Sequence, residues 1–200
     1  MNLIDETYFI SVFSIAQLSE KSVRDKLKDM ISTYQPLLLE SAMGYELATA
    51  FIEGLDVGSD ETADQRWIDL LNGKVFTTSY GVAAKWVGFK NSNKYLFSPL
   101  VCFVFYQWLR ELNTQVAGIN TVQSQPEKAV VASPGAKMTQ AYNQMVDDIR
   151  ILWEFLEVNK DTYPEFNLED VAGMRISCLY PYYVTFGGRV SFNKFNRFSI

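Results

Sequence analysis

The sequence predicts a mainly α protein, a helical bundle with a small β hairpin or extended insertion and an extended, partly β C-terminal arm. The first reason is that apolar residues recur at helical spacing in several long stretches. The second is that residues 74–89 lack a helical period and carry strand-forming residues broken by glycine. The third is that residues 172–190 contain the best strand material of the chain.

Composition divides the chain of 200 residues into three parts, which suits one domain with appended arms. Residues 1–18 mix strand-like and helical signals and are interpreted as an N-terminal arm or short element. Residues 19–170 are predicted to form the helical body, because the helical patterns lie there. Residues 171–200 are predicted to form an aromatic, basic C-terminal arm.

The first helices of the body are predicted from capping and stop residues. Ser19 is the expected N-cap of a helix whose apolar residues recur at helical spacing up to Tyr34. Pro36 is expected in the first turn of a second helix over residues 37–43, which Gly44 ends. We therefore expect this region to be a series of short helices.

Further elements are predicted in chain order. They are a helix over residues 45–52 ending near Gly54, a helix over residues 67–71 closed by Gly73, the hairpin over residues 74–89, an apolar helix from about residue 94 or 98 to residue 113, and a polar connection over residues 117–134. The strongest helical pattern begins near residue 134 or 136. Its apolar stripe consists of Met138, Ala141, Tyr142, Met145, Ile149, Leu152, Trp153 and Leu156.

The charge of the chain is unevenly distributed. Residues 1–174 hold all 23 acidic residues and 14 basic ones, whereas residues 175–200 hold four basic residues and no acidic one. Because phosphate contacts dominate DNA affinity, the acidic body is poorly suited to general DNA binding. The basic end suits docking onto an acidic surface, including the surface of an identical neighbour.

The residue types argue against an enzyme or a metal protein. Histidine is absent, which removes the commonest general base and the commonest neutral metal ligand. Cys102 and Cys178 form no CxxC pair, and Cys102 is expected to be an inert core thiol. The four tryptophans are expected to pack in the core: Trp67, Trp86, Trp108 and Trp153. We expect no catalytic residue, no cofactor and no metal site.

Two clusters of acidic residues are candidates for cation binding or acid–base chemistry. They are Asp56, Asp60, Glu61 and Asp64, and Asp147, Asp148, Glu154 and Glu157. The first cluster lacks the ligand spacing of an EF-hand and is interpreted as a loop leading to a helix N-cap. The second cluster is predicted to form the solvated side of the strong helix, since adjacent helical residues do not share a face.

Neither a membrane span nor an N-terminal signal peptide is predicted. The longest apolar run, residues 96–109, is shorter than the ~20 residues that cross a bilayer. The first residues, MNLIDETYF, contain two acidic residues and no basic one, whereas a signal peptide begins with a basic region. We therefore expect a protein without a membrane partner.

The C-terminal residues 180–200, YPYYVTFGGRVSFNKFNRFSI, are the main candidate for partner binding. They contain three tyrosines and four phenylalanines, which are unfavourable in water at ~25 cal/mol per Å². The segment either packs on the helices of its own chain or docks on another subunit, and the terminal position and basic charge favour the second. The predicted inter-subunit residues are Tyr182, Tyr183, Phe186, Arg189, Phe192, Phe195, Arg197 and Phe198.

An ordered series of weak motifs over about residues 20–166 resembles proteins of tailed phages and prophages of Bacteroidetes, including crAss-like phages. The matching stretches are 34–47 (YQPLLLESAMGYEL), 67–73 (WIDLLNG), 86–88 (WVG), the apolar helix at 96–109, the loop at 114–124, 137–145 (KMTQAYNQM) and 163–165 (YPE). These proteins are similar to head–tail connector or adaptor proteins. Those are mainly helical subunits that form a ring, typically of twelve, below the portal.

The resemblance implies a structural virion protein, made in the host cytoplasm, whose ring lines the DNA channel of the phage neck. Its implied partners are identical copies, the portal protein, other neck or tail proteins, and genomic DNA that passes without specific binding. Two alternatives stay open. One is a small carboxylate-using enzyme or enzyme accessory with the tail packed internally, and the other is a nucleic-acid-binding protein that uses the basic tail.

Overall fold

The computed structural model describes residues 1–56, 63–90, 97–113, 115–117, 120–122, 135–173, 183–186 and 189–192, and helices predominate among them. The helices are α1 (Lys21–Met43), α2 (Tyr45–Leu55), α3 (Gln65–Asn72), α4 (Pro99–Asn113), α5 (Gly135–Val158) and α6 (Leu168–Gly173). The strands are β1 (Lys74–Thr77), β2 (Ala83–Trp86), β3 (Gln115–Ala117), β4 (Asn120–Val122), β5 (Tyr183–Phe186) and β6 (Arg189–Phe192). The predicted fold class, mainly α with a small hairpin, is confirmed.

The prediction of two short helices around Pro36 is wrong, because α1 continues through this residue. Glu20, not Ser19, is the N-cap. Proline removes one intrahelical hydrogen bond, which disfavours a helix interior. Buried residues occur on both sides of Pro36, so packing along one continuous helix outweighs this loss. Gly44 ends α1 as predicted, with a φ of 84°.

α2 extends one residue beyond Gly54, where the sequence predicts its end. The lack of a side chain at Gly54 has a packing reason, because a Cβ there would overlap with the indole of Trp67 on α3. Phe51, one turn earlier, also lies against Trp67, with ring centroids 6.1 Å apart. Gly54 therefore allows α2 and α3 to approach closely.

α4 is the central helix of the core. Every residue from Leu100 to Trp108 is buried, and the helix packs against α1 and α5. α5 is also fixed to the end of α1, since the indole Nε1 of Trp153 donates to the carbonyl oxygen of Ala42 at 2.7 Å. No helix in the described ranges is long and apolar enough to cross a membrane.

The first residues of the chain pack on this helical core. They form two 3-10 turns, Glu6–Tyr8 and Ser11–Phe13. Phe13 is 2% exposed, and its ring centroid lies 4.4 Å from that of Phe97 and 5.1 Å from that of Phe105. Gln35 of α1 holds the start of the chain, because its Oε1 accepts a hydrogen bond from the amide of Leu3. The N-terminal segment is thus part of the body's core.

Three antiparallel strand pairs accompany the helices in the described residues. β1–β2 is the predicted hairpin, and β5–β6 accounts for the β part of the C-terminal arm. The prediction of a polar connection over residues 117–134 is wrong at its start, where β3 pairs with β4. These two strands have three residues each, too few for an alternating pattern to be recognised.

Candidate interaction surface

One face of the β1–β2 hairpin is exposed to solvent. In the register of the two strands, Val75 lies opposite Lys85, and Thr77 lies opposite Ala83. All four residues are exposed, and Val75 is 64% exposed. The outer face is therefore a strip of small, apolar and basic side chains that no element of the described residues covers.

The tip of the hairpin carries Tyr80, the most exposed large hydrophobic side chain among the described residues. Tyr80 is 88% exposed and Val82 is 62% exposed. The turn is nevertheless ordered by hydrogen bonds, because the amide of Thr78 donates to the carbonyl of Val82 at 2.8 Å and the amide of Gly81 donates to the carbonyl of Thr78 at 2.9 Å. Gly81 has a φ of 76°, a conformation that favours glycine. An ordered turn thus presents an aromatic side chain to solvent.

The inner face of the hairpin is buried against the helices. Phe76 is 8% exposed and Trp86 is fully buried. The ring of Phe76 meets Phe155 of α5 edge to face, with centroids 5.3 Å apart. Trp86 meets Phe89 in the same way at 5.2 Å. The hairpin is therefore amphipathic, with aromatic anchors on one face and a solvent-exposed strip on the other.

Hydrogen bonds connect the end of the hairpin to the C-terminal carbonyls of α3. The carbonyl of Leu70 accepts from the Trp86 indole Nε1 at 3.0 Å and from the Phe89 amide at 3.2 Å. The carbonyl of Leu71 accepts from the Lys90 amide at 2.7 Å. The last carbonyls of a helix have no partner within the helix, so these contacts satisfy acceptors that would otherwise need water.

Two glycines make this close approach of main chains possible. Gly73 ends α3 with a φ of 87°, and a Cβ there would overlap with the main chain of Trp86 and Val87. Gly88 has a φ of 86°, and a Cβ there would lie 2.5 Å from the amide nitrogen of Gly73. The chain passes itself at this point with room for hydrogen atoms only. The glycines of the WIDLLNG and WVG stretches therefore serve one contact.

The other end of α3 is fixed by the turn that follows α5. The guanidinium of Arg66 pairs with the carboxylate of Glu165 at 3.0 Å and also donates to the carbonyl of Thr162 at 3.2 Å. The Tyr163 hydroxyl donates to the carbonyl of Arg66 at 2.8 Å. Burial raises the pKa of Tyr163 well above its ordinary value, so the hydroxyl keeps its proton. We call the contacts at both ends of α3 the α3 clamp.

A groove lies between the start of the chain, α1 and α2. Its volume is about 420 Å³. We call it the α1–α2 groove, and the residues that define it here are Pro36, Leu39, Ala48, Ile52, Glu40 and Glu53. The exposed Pro36 and the half-buried Ile52 supply apolar surface, Leu39 and Ala48 are almost fully buried, and both glutamates are exposed. The groove therefore combines apolar residues with two acidic side chains, and its remaining lining residues are Met1, Asn2, Ser32, Gln35 and Thr49.

The acidic cluster before α3 forms helix caps where the structure describes it. Asp64 is the N-cap of α3, and its carboxylate accepts from the amide of Arg66 at 3.2 Å. Asp56 follows the end of α2. Asp60 and Glu61 lie outside the described residues. Within the described ranges, no group of three or more histidine, cysteine, aspartate or glutamate side chains is arranged to hold a metal ion.

The prediction that Asp148 lies on the solvated side of α5 is wrong, because this residue is 3% exposed. Its Oδ1 accepts from Gln144 at 3.0 Å, while its Oδ2 has no hydrogen-bond partner in the part of the chain that the structure describes. The pKa of Asp148 is raised from 3.8 to about 7, mainly by burial and to a smaller extent by the neighbouring Asp147, while the hydrogen bond from Gln144 opposes the rise. Asp148 follows Met145 by three residues, which places it beside the apolar stripe.

The predicted core residues lie in the core. Cys102 is fully buried, and burial raises the pKa of its thiol, as expected for an inert cysteine. The tryptophans are at most 7% exposed, which confirms their predicted packing role. Cys178 lies outside the described residues.

The predicted inter-subunit residues fall into two groups. Four of them lie in the C-terminal hairpin, whose register pairs Tyr183 with Phe192 and Phe186 with Arg189. The others lie outside the described residues: Tyr182, Phe195, Arg197 and Phe198. The structure thus places half of these residues on one strand pair, and their role stays a prediction.

The exposed residues of the β1–β2 hairpin are not among the predicted site residues. The sequence signal that could have revealed them is an alternating pattern. Val75 and Thr77 flank the buried Phe76 in one strand, and Lys85 precedes the buried Trp86 in the other. Comparison of the chain with protein-family models, curated proteins and solved structures finds no match. The resemblance to phage connectors therefore stays a prediction, and the function has to be argued from the surfaces described above.

Proposed function

We propose that this chain is a structural subunit of a phage neck, which assembles into a closed ring between portal and tail and surrounds the DNA channel. The observation that carries the proposal is the amphipathic β1–β2 hairpin. It is anchored to the body by main-chain hydrogen bonds and presents Tyr80 and Val82 to solvent. An exposed apolar element on a firm base is typical of a contact between subunits.

The position of the connector-like motifs supports the proposal. The stretches WIDLLNG, WVG and YPE are far apart in the sequence, yet all of them contribute to the α3 clamp. The clamp fixes the hairpin on the body. The motifs that resemble connectors would then be the ones that hold the β1–β2 hairpin in place for assembly. This shared role would explain why the three motifs occur in the same chain.

The charge distribution also agrees with a channel protein. Residues 1–174 carry a net charge of −9, so most of the chain repels a phosphate backbone. A wall of this sign would allow DNA to pass without binding. The predicted C-terminal residues, from Tyr182 to Phe198, would form a second contact with a neighbouring copy or with the portal.

The proposal is tested by measuring the mass and shape of the purified chain. We expect light scattering to report an oligomer and negative-stain images to show closed rings, with truncation after Asp170 reducing the assembly. A chain that stays monomeric at high concentration would contradict the proposal. Salt-sensitive binding of arbitrary duplex DNA would instead favour the nucleic-acid-binding alternative.

A further inference from the structure

The charge of the β1–β2 hairpin differs from the charge of the body. Residues 70–110 contain five basic residues and no acidic one. Lys85 on the outer face and Lys90 at the end of the hairpin are exposed, and neither forms an ion pair with another described residue. The exposed apolar tip is thus accompanied by two cations available to a partner.

The α1–α2 groove has the opposite charge. Glu40 and Glu53 line it, are exposed, and have no ion-pair partner among the described residues. Its lining contains no lysine or arginine side chain. Pro36, which is exposed, and Ile52, which is half-buried, give an aromatic side chain an apolar surface to cover.

The tip does not occupy the groove of its own chain. Tyr80 is 88% exposed, and it is absent from the residues that line the groove. The groove volume of about 420 Å³ is within the range of small binding pockets. It is sufficient for one aromatic side chain with its neighbours. A tip that enters such a groove must come from another molecule.

We propose that the tip of the β1–β2 hairpin of one copy occupies the α1–α2 groove of the next copy. Tyr80 and Val82 cover the apolar residues of the groove, Lys85 lies nearest to Glu40 and Glu53, and Lys90, at the base of the hairpin, adds to the electrostatic attraction from a greater distance. The contact joins two different surfaces, so it is heterologous and repeats from copy to copy until a ring closes. This inference rests on the proposed function and names the surfaces through which the ring forms.

A pair of charge-reversed variants tests the contact. The groove variant is E40K/E53K and the hairpin variant is K85E/K90E. Each variant alone brings like charges together, and we expect its self-association to weaken at least about tenfold. In an equal mixture, every contact between unlike copies again joins opposite charges, so assembly should be restored with the two variants alternating. Native mass spectrometry of variants with different masses measures this alternation.

Two controls separate the contact from folding and from general charge effects. All four substituted residues are exposed, so the melting temperature of each variant should stay close to that of the wild type. Glu46→Lys changes an exposed residue of α2 that does not line the groove. It should leave assembly unchanged. Tyr80→Ala should weaken assembly without unfolding the chain.

The outcomes distinguish the contact from the proposed function. Rings that form equally well from either variant alone would overturn the contact and leave the function standing. Loss of assembly in both variants without rescue in the mixture would also overturn the contact. Restored alternating filaments that never close would support the contact and count against a neck ring. A wild-type chain that never associates would overturn both.

The competing occupant of the groove is the basic aromatic end of the chain, residues 193–200. Deletion of these residues should leave the alternating rescue intact if the hairpin tip is the occupant. Loss of assembly on this deletion, together with insensitivity to the hairpin variant, would assign the groove to the C-terminal end instead.

Discussion

The α3 clamp and the α4–α5 interface differ in whether their polar groups have hydrogen-bond partners. In the clamp, the carbonyls of Leu70 and Leu71 and the guanidinium of Arg66 have partners within hydrogen-bond distance. In the α4–α5 interface, one oxygen of the buried Asp148 has none among the described residues. Polar contacts in the clamp therefore fix the position of the hairpin, whereas the buried acid lowers stability at neutral pH.

The largest effect is expected from Gly73→Ala. Its Cβ would overlap with the main chain of Trp86 and Val87, and alanine is strained at a φ of 87°. Residues 86–87 cannot shift away from Gly73 without breaking the hydrogen bonds that connect the end of the hairpin to α3. We expect the free energy of unfolding, measured by urea denaturation, to fall by about 3 kcal/mol.

Gly81→Ala is the matched control for this variant. Gly81 has a similar φ of 76°, but a Cβ there meets nothing within 4 Å. Only the backbone strain remains, so we expect a loss of about 1 kcal/mol. Equal losses for the two variants would contradict the close approach of main chains in the clamp.

The next effect is expected from Asp148→Asn. The folded chain holds the Asp148 proton up to about pH 7, whereas the unfolded chain releases it near its ordinary pKa of 3.8. The folded state thus binds more protons between these values, and the free energy of unfolding falls by about 4 kcal/mol as the pH rises through them. Asp148→Asn should remove this fall and increase stability at pH 8 by about 2 kcal/mol.

The pH series is measured by denaturant unfolding of the wild type and the variant in parallel. Asp147→Asn serves as the control, since this side chain is 48% exposed and its removal leaves the buried acid in place, so the fall with pH should persist with a slightly lower pKa of Asp148. A difference between wild type and Asp148→Asn that stays constant from pH 5 to pH 8 would show that Asp148 has an ordinary pKa.

The smallest effect is expected from Glu165→Gln. This change weakens a half-buried pair with Arg66, whose side chain also lies over the ring of Trp67 at 3.8 Å. We expect a loss of about 1 kcal/mol. Glu111→Gln removes the more exposed pair with Lys26 and should lose no more than about 0.3 kcal/mol. High salt should reduce the difference, which thermal unfolding at two ionic strengths can measure.

The sequence predicts the elements of the body whose signals are local. The apolar stripe identifies α5, and glycines mark the ends of α1 and α3. Pro36 misleads because its local preference is outweighed by burial along α1, which depends on helices distant in sequence. The prediction for Asp148 fails because an acidic residue beside an apolar stripe is expected to face solvent. Only the position of α4 shows that this side chain is buried.

The surfaces proposed for assembly are less accessible to sequence reasoning. An alternating strand predicts an inner and an outer face, but it does not say which face the helices cover. The groove is formed by the start of the chain and two helices, so no single stretch predicts it. The aromatic C-terminal residues attract attention because of composition, while Tyr80 is one aromatic residue in a short turn.

The carbonyl of Leu70 accepts two hydrogen bonds from the end of the hairpin, and this has a consequence for the geometry of an assembly. The hairpin is attached to α3 by peptide groups as well as by side chains, so we expect its angle to the body to vary little between copies. In a head-to-tail ring, the angular deviation of each subunit adds to that of the next around the circle. A narrow spread of hairpin angles would therefore let one subunit number predominate, and loosening this anchor should broaden the distribution of ring sizes before it abolishes association.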